Sequence, residues 1–175
     1  QTTTVYKDGK AISVTGHAST YCPATSYALS EYDSNGYPVV RQDFNGVYTD
    51  TYYNAKGQLT QKVEAAGTIL QRVTQYQWDA VANRLLSETL EGQRKTSHTY
   101  TKHANGMLAS VTVDGPLSGT GDAVTTSYDN QGNLISVQNS LGHATTYSNF
   151  DGLGQPGRVV GVNGDVTDYT YDARG

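Results

Sequence analysis

The stretch YDNQGNLISVQNSLGHATTYSNFDGLG, Tyr128 to Gly154, opens and closes on the same pattern. An aromatic residue, an acidic residue, two spacer residues and a glycine stand at its start and again from Phe150 onward. Recurrence at a period of roughly 20–50 residues is typical of repeat proteins, in which each unit is one supersecondary element. The stretch therefore indicates a repeated unit rather than a single site.

The pattern recurs along most of the chain, with anchors at positions 32, 53, 78, 102, 128, 150 and 171, spaced 21, 25, 24, 26, 22 and 21 residues apart. Two copies are degenerate. At Trp78 the loop is one residue longer and lacks the glycine, and at Lys102 the aromatic residue and the acid are replaced by Lys and His103. The predicted structural anchors are Tyr32, Asp33, Gly36, Tyr53, Asn54, Gly57, Trp78, Asp79, Gly106, Tyr128, Asp129, Gly132, Phe150, Asp151, Gly154, Tyr171, Asp172 and Gly175.

Turn chemistry explains the acid and the glycine. A type I turn favours Asp or Asn at its first position and Gly at its fourth. The side-chain oxygen accepts hydrogen bonds from the turn's own N–H groups, and Gly adopts the left-handed conformation at little cost. A type I turn followed by such a residue is a common hairpin loop. We therefore predict that these acids cap turns and are not paired catalytic carboxylates.

A second glycine follows five of the anchors by fourteen residues, and the runs between the two glycines alternate with the period of a strand. Examples are residues 59–63, 85–90, 108–113 and 134–137, with return runs at 46–53, 144–150 and 165–171. The sequence predicts an all-β fold of repetitive antiparallel β-hairpins forming a twisted strip, with the aromatic anchors on its inner face. Residues 1–31 are predicted to be a divergent leading unit, and residues 32–175 the repeats.

Two segments fit this pattern less well. Residues 79–95 place Leu85, Leu86 and Leu90 near helical spacing, but the repeat register favours strands, and we follow the register. Residues 115–126 are rich in Gly and Ser and are predicted to form a protruding loop.

Composition argues against several functions. The net charge of −4 gives no basic surface for nucleic acid, and no apolar run is long enough to insert into a membrane. Cys22 alone cannot form an intrachain disulfide. The sequence has no phosphate-binding glycine loop or nucleophile elbow. We therefore expect no enzyme, cofactor or metal site, because the histidines are also not spaced as metal ligands. These are His17, His98, His103 and His143.

The segment YDNQGNL from Tyr128 to Leu134 matches the YDxxGNL motif in full, and residues 32–175 resemble the RHS-repeat or YD-repeat family. That family includes bacterial polymorphic toxins, the C component of ABC-type toxin complexes and teneurins. The resemblance implies a hairpin strip that forms part of a hollow β-shell around a toxin segment, in a secreted or cell-surface parent protein. The expected partners are the rest of that polypeptide and the enclosed segment. Because YDARG ends directly after a predicted turn, we expect the chain to be part of a longer protein.

Two further expectations remain open. The alternative interpretation is a carbohydrate-binding or cell-surface recognition module that uses exposed Tyr and Asn side chains together with Trp78. Unpaired strands at the two ends of a strip invite self-association through open sheet edges.

Overall fold

The computed structural model describes residues 2–16, 20, 27–172 and 174. The expectations for His17, Cys22 and Gly175 lie outside the described residues. The chain divides into two compact units, residues 1–93 and 94–175, each of which is described by itself. The predicted boundary between a leading unit at 1–31 and the repeats stays a prediction.

The described residues of the first unit form eight strands, and each pairs antiparallel with the next in sequence. They are β1 Thr3–Lys7, β2 Lys10–Thr15, β3 Tyr27–Tyr32, β4 Pro38–Gln42, β5 Tyr48–Tyr53, β6 Leu59–Glu64, β7 Arg72–Trp78 and β8 Leu85–Leu90.

In the second unit, the part of the chain that the structure describes forms seven strands with the same pairing. They are β9 Arg94–Lys102, β10 Leu108–Asp114, β11 Val124–Tyr128, β12 Leu134–Asn139, β13 Ala144–Phe150, β14 Pro156–Val160 and β15 Val166–Asp168. No helix occurs among the described residues of either unit. The prediction of an all-β fold of repetitive antiparallel hairpins is confirmed, and β8 occupies the segment whose leucines suggested a helix.

The strand that follows an anchor carries one extra residue. Tyr32 pairs with Pro38, whereas Glu31 pairs with Val40, so Val39 has no partner across the ladder. The same shift in register accompanies the anchors at 53, 78, 102 and 128. A β-bulge of this kind bends the strand and increases its local twist.

Side chains are poorly buried because each unit is a single sheet. Among the described residues only Val63 and Ser87 are buried, with 7% and 2% of their surfaces exposed. A chain of this length can bury a substantial core, but strands that pair only with their sequence neighbours provide no second layer to cover them. The stability of each unit therefore depends on ladders, turns and contacts between neighbouring strands.

One face of the second unit is lined with hydroxyl groups. Pairing brings five such residues into one row across five strands: Thr101, Ser110, Ser127, Ser136 and Thr146. The Thr101 and Ser110 hydroxyl oxygens lie 2.7 Å apart. Because successive side chains alternate between faces, Tyr100, Val111, Val137 and Thr145 of the same strands lie on the opposite face.

Two predicted boundaries are corrected. The loop after β10 ends at residue 123 rather than 126, because Val124 already pairs with Val113 in the ladder. The strand expected at 165–171 is assigned only to Val166–Asp168. Beyond it Tyr169 N still donates to Gly157 O over 2.9 Å, but Pro156 has no N–H with which to extend the ladder.

Candidate functional site

The polar residues and glycines of the repeated unit lie in the anchor turns. These turns are residues 33–36, 54–57, 79–83, 103–106, 129–132 and 151–154. In the turn at 129–132, Gly132 N donates to Asp129 O over 3.1 Å, and Asp129 N donates to Asn133 O over 2.9 Å. Gly132 has a φ of +94°. This is a type I turn closed by a left-handed glycine. The same pair of backbone bonds recurs in the turns that begin at Asp33, Asn54, His103 and Asp151.

The Asp or Asn side chain that begins a turn accepts hydrogen bonds from the backbone of its own turn. Asp129 Oδ1 accepts from the N–H groups of Gln131 and Asn133 over 2.9 and 2.8 Å, and Oδ2 accepts from Asn133 Nδ2 over 2.9 Å. Desolvation raises the pKa of Asp129, but the hydrogen bonds from Asn133, Gln131 and Gly132 outweigh it and hold the pKa below the ordinary 3.8. The side chains of Asp33, Asn54 and Asp151 accept two backbone N–H groups in the same way.

In the two degenerate copies of the repeat, the turn is capped by hydrogen bonds to different side chains. At Trp78 the longer loop is capped by Asp79 Oδ1, which accepts from two N–H groups over 2.7 Å each. Asn83 takes the place of the glycine, with a φ of +54°. In the copy that starts at Lys102, Asn105 Oδ1 accepts from Met107 N over 3.0 Å.

Anchor side chains reach back to the preceding hairpin. Trp78 Nε1 donates to Leu59 O over 2.7 Å, and Tyr171 Oη donates to Pro156 O over 2.9 Å. Tyr32 Oη donates to Ala11 O over 3.1 Å. Tyr32, Trp78, Tyr128 and Phe150 are half-buried, whereas Tyr171 is 38% exposed. The anchors thus tie consecutive hairpins together within each unit.

The glycines of the turns also leave room for a neighbouring side chain. Tyr37, which follows the first anchor turn, packs on Gly57, where an added Cβ would lie 2.5 Å from Tyr37 Cζ. The Tyr37 ring also stacks on Tyr53, with centroids 5.1 Å apart. In the second unit an added Cβ at Gly154 would lie 2.9 Å from Asn133 Oδ1. The residue after one turn therefore covers the glycine of the next.

The sequence analysis missed a second set of caps, in the return turns at residues 43–46 and 139–142. Asp43 Oδ1 accepts from Asn45 N and Val47 N over 2.8 and 2.9 Å. Asn139 Oδ1 serves its own turn likewise, over 3.1 and 3.0 Å. The signal was present, because Asp43–Gly46 has the same acid-to-glycine spacing as the anchor turns.

The described residues contain no group of three or more His, Cys, Asp or Glu placed to hold a metal ion. His103 Nε2 lies 2.9 Å from Tyr128 O, so this ring also serves the link between hairpins. Asp172 Oδ1 accepts from Arg174 N over 2.8 Å, again within its own turn. In the described ranges we find no helix with the length and hydropathy needed to cross a bilayer.

An open groove lies beside Trp78 in the first unit, with a cavity volume of about 320 Å³. Tyr76 also lines this groove, and burial raises the pKa of the Tyr76 hydroxyl. Amide, hydroxyl and ammonium groups complete the lining: Asn54, Lys56, Gln58 and Thr60.

The fold is similar to that of several toxin complexes of known structure. A crystal structure of TcdB2-TccC3-Cdc42 matches with a TM-score of 0.66 at 21% identity, over 87% of this chain and 9% of that chain. A crystal structure of TcdB2-TccC3-TEV matches with a TM-score of 0.64 at 15% identity, over 95% and 9%. The Photorhabdus luminescens Tc holotoxin pore matches with a TM-score of 0.61 at 20% identity, over 85% and 8%.

These similarities establish the class of fold. No family model matches the chain, and no curated protein matches it. The chain has the antiparallel hairpin fold found in the TcdB2-TccC3 structures, and the predicted RHS-repeat resemblance is confirmed at the level of fold. It spans less than a tenth of the length of the chains that it matches.

Proposed function

We propose that the chain is a non-catalytic wall section of an RHS-type toxin-complex shell, and that this shell encloses a toxin or effector segment. The observation that carries the proposal is a strip of sequential hairpins with the fold of chains from TcdB2-TccC3 complexes. The parent protein is secreted, and the partners of the chain are the remainder of its own polypeptide and the enclosed segment.

The use of the polar groups supports a structural role. Backbone N–H and C=O groups are hydrogen-bonded in the strand pairs. The carboxylates of Asp33, Asp129 and Asp151 accept hydrogen bonds from the backbone of their own turns. A general acid or base needs a side chain that is free to exchange a proton with a substrate. Here the acids recur at a fixed spacing along the strip because the hairpins recur, and each one shapes its own corner.

A wall of this kind works by exclusion. A sheet in which each strand pairs with its neighbour offers no gap through which a protease could reach a segment behind it. The links from Trp78 to Leu59 and from Tyr171 to Pro156 keep neighbouring hairpins together. A protein that must hold an unfolded segment needs this continuity more than it needs a compact core.

Limited proteolysis of the complete polypeptide that carries this chain tests the proposal. We expect the enclosed segment to resist a protease in the native protein and to be cut once the wall is unfolded. Replacing Gly57 and Gly132 by Val should open two corners and expose the segment, whereas Gln131→Ala, at an exposed position of the same turn, should not. Equal cleavage of the segment in native and unfolded protein would refute enclosure.

Carbohydrate recognition is a second candidate, favoured by the groove beside Trp78, in which aromatic rings stand next to amide groups. Sugars are bound by stacking on aromatic faces together with hydrogen bonds. Trp78 is the only tryptophan in the chain, so its fluorescence reports on this groove alone. Quenching by iodide that oligosaccharides relieve would support this function; quenching that no oligosaccharide changes would remove it.

A further inference from the structure

Four turns of the chain place an Asn directly before a left-handed glycine. They are the turns that contain Asn35-Gly36, Asn45-Gly46, Asn105-Gly106 and Asn163-Gly164. All four Asn residues are exposed. An Asn-Gly pair is chemically labile, because glycine has no Cβ to hinder attack of its backbone nitrogen on the Asn side-chain carbonyl carbon. The four turns therefore share one reactivity, and differences between them must come from the fold.

The reaction requires only the chain and water. A bond forms between the glycine N and the Asn Cγ, and the bond from Cγ to Nδ2 breaks. The amide proton of the glycine leaves with the side-chain nitrogen as ammonia, so the main chain now contains a succinimide ring. Water then opens that ring at one of its two carbonyl carbons, which gives aspartate or isoaspartate.

Ring closure requires the turn to open. Gly164 N donates to Gly161 O over 2.9 Å, and Gly46 N donates to Asp43 O over 3.0 Å. The same bond is present in the other two turns. Because the glycine nitrogen must lose its proton and rotate toward Cγ to reach a near-attack geometry, this bond is lost in every case. The rates then depend on which other hydrogen bonds hold each turn closed.

Side-chain caps hold the two turns of the first unit. Asp43 Oδ1 accepts from Asn45 N and Val47 N over 2.8 and 2.9 Å. Asp33 Oδ1 caps the turn that contains Asn35 in the same way. Two bonds beyond the one shared by all four turns therefore oppose opening.

Asn105, in the second unit, is held by its own amide group. Its Oδ1 accepts from Met107 N over 3.0 Å, and its Nδ2 donates to Asn130 O over 3.0 Å. Both bonds fix the side chain whose Cγ would be attacked. Opening of this turn is therefore also opposed by two further bonds.

The turn at 161–164, which joins β14 to β15, lacks these bonds. Its first residue is Gly161, which has no side chain with which to cap the turn. In the part of the chain that the structure describes, the Asn163 amide makes no hydrogen bond. An added Cβ at Gly164 would meet no atom within 4 Å, so the space around the attacking nitrogen is open.

We propose that Asn163 is a self-modification site, at which the chain converts its own asparagine to aspartate and isoaspartate, and that the other three Asn-Gly pairs are protected by their turns. Two fewer hydrogen bonds to break correspond to a reaction about tenfold faster. The isoaspartyl product adds a methylene to the main chain between β14 and β15, which are joined by only three residue pairs.

Peptide mapping by mass spectrometry tests the proposal on the 175-residue chain, incubated in mildly alkaline buffer. The conversion rate of each Asn in the folded chain is divided by its rate in the same chain unfolded in urea, which removes the effect of local sequence. We expect this ratio to be about ten times larger for Asn163 than for Asn45 or Asn105. Equal ratios at the three sites would overturn the proposal, as would a smaller ratio at Asn163.

Removing a cap tests the cause of the protection. Asp43→Gly gives the turn at 43–46 the same glycine at its first position as the turn at 161–164. We expect conversion of Asn45 to become about tenfold faster, with no change at Asn105. Far-UV circular dichroism reports whether the variant folds, and the wild-type comparison stands without it. A folded variant in which Asn45 reacts at the wild-type rate would contradict protection by the cap.

Discussion

The indole N–H of Trp78 donates a hydrogen bond of 2.7 Å to the carbonyl oxygen of Leu59, the strand residue that follows the preceding anchor turn. Tyr171 makes the equivalent contact with Pro156 over 2.9 Å. The Leu59 carbonyl lies beside a bulge, where a backbone group is easily left out of the regular ladder. The anchor position therefore favours a ring that buries apolar surface and ends in a donor, because one side chain then packs against the sheet and satisfies the backbone of its neighbour.

Replacing Trp78 by Phe keeps a ring but removes the donor. We expect a loss of about 1 kcal/mol in the free energy of unfolding, since the half-buried Leu59 carbonyl loses its partner. Urea unfolding followed by circular dichroism measures the change. Tyr52→Phe serves as the control, because this ring is half exposed and its change should leave stability nearly the same. Identical midpoints for both variants would show that the Trp78–Leu59 bond contributes nothing.

Gly57 and Gly67 form a matched pair, because both have a φ of +76° and they differ in what surrounds them. An added Cβ at Gly67 meets no atom within 4 Å, whereas at Gly57 it overlaps the ring of Tyr37. We expect Gly67→Ala to cost about 1 kcal/mol for the left-handed backbone alone. Gly57→Ala should cost more in the same unfolding measurement, because Tyr37 must also leave its stack on Tyr53.

A double-mutant cycle separates the two causes of that cost. In a Tyr37→Ala background the contact with Gly57 is already gone, so Gly57→Ala should then cost no more than Gly67→Ala. An excess cost at Gly57 that persists without Tyr37 would place its origin in the turn itself.

The strands and anchor turns could be predicted because they depend on local chemistry. Asp129 and Gly132 lie three residues apart, and the bonds that they shape stay within the turn. The same logic would have found Asp43, whose spacing to Gly46 is identical. The register of the repeats also decided correctly against a helix near Leu85, since strand pairing with the neighbouring hairpin outweighs helical spacing there.

Contacts between hairpins could not be predicted, because they join residues about twenty positions apart through the register of the sheet. Nothing local to Tyr37 indicates that its ring will cover Gly57. Likewise, nothing local to Asn105 indicates that its Nδ2 will donate a hydrogen bond to Asn130 O in the next anchor turn. The scarcity of buried side chains follows from a single layer of strands, which composition does not reveal.

The hydroxyl face of the second unit offers a test of paired polar groups. Thr112 Oγ1 and Thr125 Oγ1 lie 2.9 Å apart on neighbouring strands, and both are partly buried. Thr112→Val alone should destabilise by about 1 kcal/mol, since it leaves the Thr125 hydroxyl without this partner. The double change to Val should cost less than the sum of the single changes, because both groups of the pair are then removed. Strictly additive losses in urea unfolding would mean that the two hydroxyls are not coupled.

The capped turns also make stability depend on pH. The pKa of Asp129 lies below its ordinary value of 3.8 in the folded chain, so folding favours the carboxylate. The Arg158 guanidinium likewise lowers the pKa of Asp168. Their contribution to stability is complete above the unfolded pKa of 3.8 and is lost as the pH falls through the lower, folded values. Melting temperature should therefore change little between neutral pH and about pH 4 and fall below that pH.

Exchanging the caps between turns tests this origin of the pH dependence. Asp129→Asn keeps the acceptor for Gln131 and Asn133, as Asn54 does in its own turn, but removes the titration. We expect its melting temperature to fall less than that of wild type between pH 7 and about pH 3. Asn139→Asp is the reciprocal change in a return turn, and it should make the fall steeper because a titrating carboxylate then accepts from Leu141 and His143. If both variants kept the wild-type profile, the turn carboxylates would not be the groups whose protonation destabilises the fold.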